Sequence, residues 1–218
     1  MVGGITPDNI EKLDTGSSNI IHSPLPRIFA VFFNQGHSKA LLNKEVRQAL
    51  DLAAPKESIV ANVLDGYGAA IAGPVPAGIY PWSSKLNSAS STEERMQYAK
   101  EILSNAGWKP NPETGILEKK LGPAIIPLSF SLSTGDAPEL RKVAESLLSA
   151  WGELGANIET SVFETGDLNQ NVIRPREFDA LLFGEVVGRD ADLYPFWHSS
   201  QRNDPGLNIA LYANSKAD

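Results

Sequence analysis

The sequence predicts an α/β fold, because strand-like and helix-like segments alternate along most of its 218 residues. Short apolar runs of the kind found in strands occur at 28–33, 126–133 and 178–183. Between them lie longer segments whose apolar residues recur with the helical period. With 42% apolar and 21% charged residues, the chain has the composition of a globular protein with a substantial core.

Composition and charge exclude several classes of function. The net charge of −7 argues against a nucleic-acid surface, which needs an excess of Lys and Arg. The absence of cysteine excludes disulfides, thiolate metal sites and cysteine nucleophiles. The start "MVGGITPDNIEKL" lacks the basic and apolar regions of a secretory signal, and no apolar run is long enough to span a bilayer.

The first core element is predicted after an extended lead-in. Residues 1–26 end in "HSPLPR", whose prolines disfavour a helix. The run "IFAVFF" at 28–33 predicts a strand buried on both faces, which ends at Asn34.

Three helices should follow this strand. "NKEVRQALDLAA", with Asn43 as its N-cap, carries an apolar stripe, and "PKESIVANVLDG" has Pro55 in its first turn. Residues 69–82, rich in proline and glycine, predict an irregular segment. "STEERMQYAKEILSNAG" then combines a capping box between Ser91 and Glu94 with a terminal glycine.

The second half predicts a βαβ unit with parallel strands over 126–163. "IPLSFSLS" and "NIETSVF" alternate as strands do, and the helix between them should be capped by Asp136 and Glu139. "WKPNPETGILEKK" predicts a turn and a short charged strand at the sheet margin. "DLNQNVIR" predicts a short helix, and "FDALLF" a further core strand.

That last strand leads into "FGEVVGRDADLYPFWHSS" at 183–200, the densest group of charged and aromatic residues in the chain. Ligands of open α/β sheets usually bind at the carboxyl ends of strands. Three kinds of site fit the residue types: acid/base catalysis by Asp190 and Asp192, a metal site that adds Glu185 and His198, or the wall of a binding cleft. The aromatic residues fit ligand contact and core packing equally well.

Geometry and missing motifs favour the cleft wall. Carboxylates two residues apart need not converge on one substrate, and the other histidines, His22 and His37, lie in distant segments. The chain also lacks a nucleophile elbow, an H-E-x-x-H helix motif and a P-loop.

Several segments resemble, in order, the family 5 extracellular solute-binding proteins of ABC importers. The resemblance runs from about residue 27 to 212 and includes the segments "FFNQ", "VRQAL", "PKESIV", "GYGAAIAGPVP", "AKEILSNAGW", "ESLLSAWGELGANIE" and "FDALLFGEVVGRDADLYPFW". It implies a type II periplasmic-binding-protein-like lobe, with a mixed sheet flanked by helices. Two such lobes close on a solute in this family. We therefore expect 27–218 to be the second lobe of a longer protein and 1–26 to be a lead-in or hinge segment.

The resemblance also implies a function. We expect a non-enzymatic protein without a cofactor or metal, which captures an oligopeptide-like solute and delivers it to a membrane permease. Its location would be periplasmic or extracellular, with the full-length parent associated with the membrane. Alternatives are an oligosaccharide or metal-chelate solute, a small metal-dependent hydrolase using His198 with Asp190 or Asp192, and a protein-interaction domain.

Five residues are expected to bind the solute. Glu185 or Asp190 would meet an amine and Arg189 a carboxylate, while Trp197 would supply an apolar face and Asn34 a contact on the hinge side. The sequence departs from the family pattern in two places. Glu185 follows Gly184 where peptide-binding relatives carry tryptophan, and Ala191 replaces the proline of an Asp-Pro-Asp loop.

Overall fold

The computed structural model describes residues 27–75, 91–186, 192–216 and 218. Its main layer is a four-stranded sheet in the order β1-β7-β5-β6, beside a small three-stranded sheet in the order β2-β3-β4. In chain order the strands are β1 (Arg27–Phe33), β2 (Lys109–Pro110), β3 (Leu117–Leu121), β4 (Ala124–Pro127), β5 (Ser129–Gly135), β6 (Asn157–Phe163) and β7 (Ala180–Val186). The helices are α1 (Lys44–Ala53), α2 (Lys56–Asn62), α3 (Thr92–Asn105), α4 (Pro138–Glu153), α5 (Thr165–Asp167, continued by a π-helical turn over Leu168–Ile173) and α6 (Tyr194–Trp197), followed by a 3-10 turn at Ser199–Gln201.

The main sheet is mixed. β5 runs parallel to both β6 and β7, whereas β1 runs antiparallel to β7. The predicted parallel pair joined by a helix is confirmed, since α4 connects β5 to β6. The α/β class and the mixed sheet flanked by helices are confirmed as well.

The prediction that β1 is buried on both faces is wrong for its first half. Ile28 and Phe32 are buried, but Phe29 is 51% exposed. In the part of the chain that the structure describes, β1 pairs only with β7 and forms the margin of the sheet. A continuous apolar run therefore marks an edge strand here, with the Phe29 ring lying over Gly184 of the neighbouring strand.

One face of the main sheet, the helix-covered face, carries the larger apolar core. Alternate residues of the strands meet the apolar stripes of α1, α3 and α4 on this face. Trp151 of α4 lies at its centre, tilted against the rings of Phe33 and Phe130, and its indole Nε1 donates to the carbonyl oxygen of Leu50 at 2.9 Å. The apolar stripe predicted for α1 is confirmed, with all four members buried: Val46, Ala49, Leu50 and Ala53.

The opposite face, the cleft face, is covered by α5 and by a C-terminal segment over 194–210. Its smaller core contains Phe32 and Leu181 from the sheet, together with Leu168 and Val172 of α5 and Ile209 of the C-terminal segment. The short helix predicted at 167–174 is confirmed as the π-helical part of α5.

The helix ends confirm one predicted cap and correct two others. At α3, the Ser91 hydroxyl accepts from the Glu94 N–H while the Glu94 carboxylate accepts from the Ser91 N–H. Asn43 precedes α1, but its side chain donates backward to the Lys39 and Ala40 carbonyl oxygens and so does not cap the helix. α4 begins after Ala137 with Pro138 in its first turn, so the predicted Asp136 and Glu139 cap is wrong.

The charged strand predicted at the sheet margin instead belongs to the small sheet. β3 pairs antiparallel with β2 and β4, and the predicted strand 126–133 divides into β4 and β5. Leu128, between them, donates its N–H to Leu117 and accepts from the Asn157 N–H. The two sheets are therefore joined through backbone hydrogen bonds at one residue.

Candidate ligand-binding cleft

A cleft of about 350 Å³ opens on the cleft face at the carboxyl end of β7. Its walls come from α5, β7 and the C-terminal segment, and they are largely apolar. The lining consists of Thr165, Asn169, Ile173, Phe183, Gly184, Glu185, Val186, Phe196, Leu207 and Ile209.

Glu185 is the ionisable side chain of this lining, and it is only 7% exposed. Its Oε2 atom is buried without a hydrogen-bond partner among the described residues. Burial raises the pKa of the Glu185 carboxyl to about 7, against the opposing effect of the Arg176 charge. A buried carboxyl in an apolar cleft is thus ready to change its charge near neutral pH.

Arg176 is the cation that acts on Glu185, and it also holds the cleft walls together. Its guanidinium donates to the carbonyl oxygen of Ile173 at the end of α5 and to that of Gly206 at 2.7 Å. Burial lowers the pKa of Arg176, but arginine retains its charge at any physiological pH. Because its guanidinium donates to a carbonyl oxygen in each of the two elements, Arg176 links the C-terminal segment to α5.

Asn208 organises the C-terminal segment from inside. It is fully buried, and its Nδ2 donates to the carbonyl oxygens of Trp197, His198 and Tyr212. Its Oδ1 accepts from the Tyr212 N–H at 3.1 Å. These bonds close the segment on itself behind Leu207 and Ile209, which line the cleft.

Asn34 lies behind the cleft and outside its lining. It is 2% exposed, its Nδ2 donates to the Arg176 carbonyl oxygen at 2.9 Å, and its Oδ1 accepts from the Gly36 N–H at 3.0 Å. Its own N–H donates to the Asp179 carbonyl oxygen. Asn34 therefore fixes the backbone of the residue whose side chain ties the cleft walls together.

The remaining predicted site residues are distributed unevenly. Trp197 packs half-buried against the smaller core, with its indole Nε1 buried and unpartnered among the described residues, while its neighbour Phe196 lines the cleft. Arg189 and Asp190 lie outside the described residues. Of the five predicted residues, the structure brings Glu185 into the cleft and Trp197 to the same face.

Comparison with known proteins identifies the family. The family described as "Bacterial extracellular solute-binding proteins, family 5 Middle" matches residues 1–204. The chain belongs to this family. The structure is accordingly a periplasmic-binding-protein-like α/β lobe of a family 5 solute-binding protein, as the sequence predicted.

Individual relatives of this family 5 protein differ in what their names say they bind. The oligopeptide-binding protein AppA of Bacillus subtilis is 34% identical over 81% of this chain and 32% of its own length. Its structure in complex with a nonapeptide superposes with a TM-score of 0.82 at 27% identity, covering 98% of this chain and 42% of that one. NikZ of Campylobacter jejuni, in complex with Ni(L-His), gives a TM-score of 0.73 at 26% identity over 96% of this chain and 41% of that one. This chain spans about a third of the length of the curated relatives it matches.

Of the residues suggested for catalysis or metal binding, His198 and Asp192 make local contacts in the family 5 lobe. His198 Nδ1 accepts from the Ser200 N–H at 3.1 Å, and its ring centroid lies 4.5 Å from that of Tyr194. Asp192 accepts from the Tyr194 N–H at 3.0 Å. Across the part of the chain that the structure describes, no three potential metal ligands of the His, Asp or Glu type come together. Nor does any helix in those ranges have the length and apolar character of a membrane span.

A second polar cluster, which the sequence did not predict, lies at the opposite end of β7. Asp179 Oδ1 is 2.8 Å from His37 Nδ1, and Asp179 Oδ2 accepts from the Ser131 N–H and hydroxyl. The hydrogen bond to Asp179 raises the pKa of His37. Burial acts to raise the pKa of Asp179, but the hydrogen bonds from His37 and Ser131 outweigh it and lower that pKa. This cluster joins the starts of β5 and β7 to the loop after β1, away from the cleft.

Proposed function

We propose that this chain is the solute-binding lobe of an ABC importer's binding protein and that it takes an oligopeptide-like solute. The observation that carries the proposal is the apolar cleft with one buried carboxyl at the carboxyl end of β7. Its volume of about 350 Å³ is near the lower end of ligand pockets, which span roughly 300–1,000 Å³. It therefore suits one side chain or terminus of a larger solute.

Membership in family 5 supports capture without chemistry. The family is named for solute binding, and AppA, which is similar over most of this chain, is named for binding oligopeptides. In this proposal the protein performs no catalysis and carries no cofactor. It works in the periplasm or at the cell exterior, passes its solute to a membrane permease, and is associated with the membrane in its full-length form.

The proposal assigns residues 27–218 to one lobe and residues 1–26 to the segment leading into it. The opposite lobe would supply the other wall of the solute site, and closure would exclude water from the solute. Glu185 or Asp190 would meet an amine, Arg189 a carboxylate and Trp197 an apolar part of the solute. Asn34 would act on the hinge side.

Calorimetric titration of the full-length two-lobe protein tests the proposed function. We expect binding from a library of di- to nonapeptides and weak binding or none from oligosaccharides. Tight binding of an oligosaccharide together with no peptide binding would contradict the peptide assignment. The 218-residue chain alone should bind peptides weakly, and submicromolar affinity from it would contradict the two-lobe mechanism.

A metal chelate is the second candidate solute, because the structure of NikZ with Ni(L-His) is also similar to this lobe, with a TM-score of 0.73 against 0.82 for AppA. The same titration includes nickel with histidine at a ratio of one to two. Binding of this complex, with peptides inactive, would favour the second candidate.

A further inference from the structure

We propose that the cleft beside Glu185 is a specificity pocket for a cationic side chain, and that it selects solutes carrying a primary amine on an apolar stem. This inference rests on the proposed function in one respect, namely that a solute enters the cleft. It goes further by naming the chemical group that the cleft recognises and the residue that selects it.

The Glu185 carboxyl has an unpaired oxygen atom. A buried polar atom without a partner is costly, and most such atoms in folded proteins are paired. Glu185 is 93% buried, yet its Oε2 has no hydrogen-bond partner among the described residues and its side chain lines the cleft. A donor brought by a ligand would remove this cost, and a positively charged donor would form the strongest bond.

The surroundings of the Glu185 carboxyl are largely apolar. The walls beside Glu185 are the apolar side chains of Ile173, Phe183, Phe196 and Leu207. An aliphatic stem that ends in an ammonium group buries its carbons against such walls while its charge reaches the carboxylate. A small polar cation without a stem would leave the walls uncovered.

The charged group that acts on the Glu185 carboxyl is Arg176. Arg176 acts on Glu185 electrostatically, but its guanidinium donates to three backbone carbonyls, those of Ile173, Arg202 and Gly206. Asp204 in turn acts on Arg176 and lies 3.6 Å from the guanidinium of Arg174, which offsets part of the positive charge. The lining itself adds no other ionisable side chain within the described residues. Burial therefore outweighs the effect of the Arg176 charge, and the pKa of the Glu185 carboxyl is raised to about 7.

A neutral ligand would use the same carboxyl in the opposite way. If Glu185 were protonated, it could donate to a carbonyl oxygen of the ligand. The two kinds of ligand differ in the proton exchange that accompanies binding. Binding of an ammonium group favours the ionised carboxylate and releases the proton of Glu185, whereas binding of a carbonyl group favours the protonated carboxyl and takes up a proton. The direction of proton exchange on binding therefore decides between them.

The experiment compares two tripeptides, Ala-Lys-Ala and Ala-norleucine-Ala, on the full-length protein by calorimetry at pH 6.0 and 7.5. These peptides differ only by the amine at the end of the stem, so their terminal groups contribute equally. We expect the lysine peptide to bind about tenfold more tightly at pH 7.5, with a preference that shrinks at pH 6.0 and with net proton release in buffers of different ionisation enthalpy. The Glu185→Gln variant should lose the preference, whereas the exposed control Glu159→Gln should keep it.

A second measurement separates this inference from the proposed function. n-Pentylamine and 1-pentanol are titrated into the 218-residue chain, with the Glu185 carboxyl observed by NMR. If no peptide binds but the amine lowers the pKa of Glu185 and pentanol does not, the cation pocket stands while peptide capture is wrong. Equal binding of the paired ligands, or proton uptake on binding, would overturn the cation pocket.

Discussion

The two faces of the main sheet differ in what they bury. The helix-covered face buries apolar side chains against three helices, and of its two buried indoles Trp151 donates to a carbonyl oxygen, whereas the Nε1 of Trp108 has no partner among the described residues. The cleft face buries Asn208 with all its bonds made and Glu185 with one oxygen unpaired. The unpaired indole of the first face lies within the apolar core, whereas the unpaired carboxyl of the second lines the cleft.

The largest expected effect is on the helix-covered face. Trp151→Ala should lower the free energy of unfolding by about 4 kcal/mol, because it opens a cavity and removes the bond to Leu50. Urea denaturation followed by circular dichroism measures this loss. The control Val186→Ala, at a position 59% exposed, should change stability by less than about 0.5 kcal/mol. Similar losses from both variants would contradict the contrast between the faces.

The next effect concerns Glu185 and has a definite sign with pH. Its pKa in the folded chain is about 7, above the ordinary value of 4.5, so the folded state binds the proton more tightly than the unfolded state. The stability of the wild type should therefore fall as pH rises from 4.5 to 7, by roughly 3 kcal/mol relative to Glu185→Gln. Thermal or urea denaturation of both proteins between pH 4.5 and 8 checks this. A constant difference between them would show that the carboxyl is solvated in the folded state.

A smaller loss of stability is expected at Asn208, the buried residue of the cleft face whose side chain is fully hydrogen-bonded. Asn208→Ala should cost about 2 kcal/mol, because it leaves the carbonyl groups that Asn208 binds without their donor. Hydrogen exchange should show the loss concentrated at 194–212. Asn214→Ala, at an exposed position with local bonds only, is the matched control and should be nearly neutral. If hydrogen exchange accelerates equally over α4, the Asn208→Ala variant destabilises the whole fold and not the C-terminal segment alone.

The smallest effect belongs to the pair of His37 and Asp179. The pKa of His37 is raised, so its stabilising contribution is complete below 6.5 and is lost as pH rises through the folded value. The pKa of Asp179 is lowered, so the contribution is also lost as pH falls through that value, which lies below 3.8. His37 is half exposed, and His37→Gln should therefore cost less than about 1 kcal/mol at pH 5.5 and less still at pH 9. A larger cost at pH 9 than at pH 5.5 would contradict this.

Periodicity predicted those parts of the fold that depend on local pattern. The buried stripe of α1, the capping box of α3 and the parallel pairing of β5 with β6 all follow from residue spacing. The order in which the strands pair in the sheets was not predictable in the same way. The run "IFAVFF" has the composition of a central strand, and only the tertiary pairing places it at the margin of the described sheet. The attachment of the small sheet likewise depends on backbone bonds of Leu117 to Gly155 and of Leu128 to Asn157, which join segments distant in sequence.

The candidate site was predicted in position rather than in detail. The carboxyl end of a core strand indicated the right region, and Glu185 lies in the cleft. Its burial was not evident from the sequence, because a lone charged residue after a strand usually faces water. Arg176 and Asn208 were missed altogether. Both act through hydrogen bonds to backbone carbonyls, and those contacts leave no mark on residue type or spacing.

Gly184 and Glu185 are adjacent in β7 but differ in what they tolerate. A Cβ on Gly184 would lie 2.7 Å from the Phe29 ring, over which the Arg27 guanidinium is placed at 5.4 Å from the ring centroid. Position 185 points to the other face, where its side chain lines the cleft. A side chain at position 184 would have to displace the Phe29 ring, whereas a substitution at position 185 changes the lining of the cleft. Under the proposed function, residue 185 is therefore the position to randomise in a search for new solute specificities.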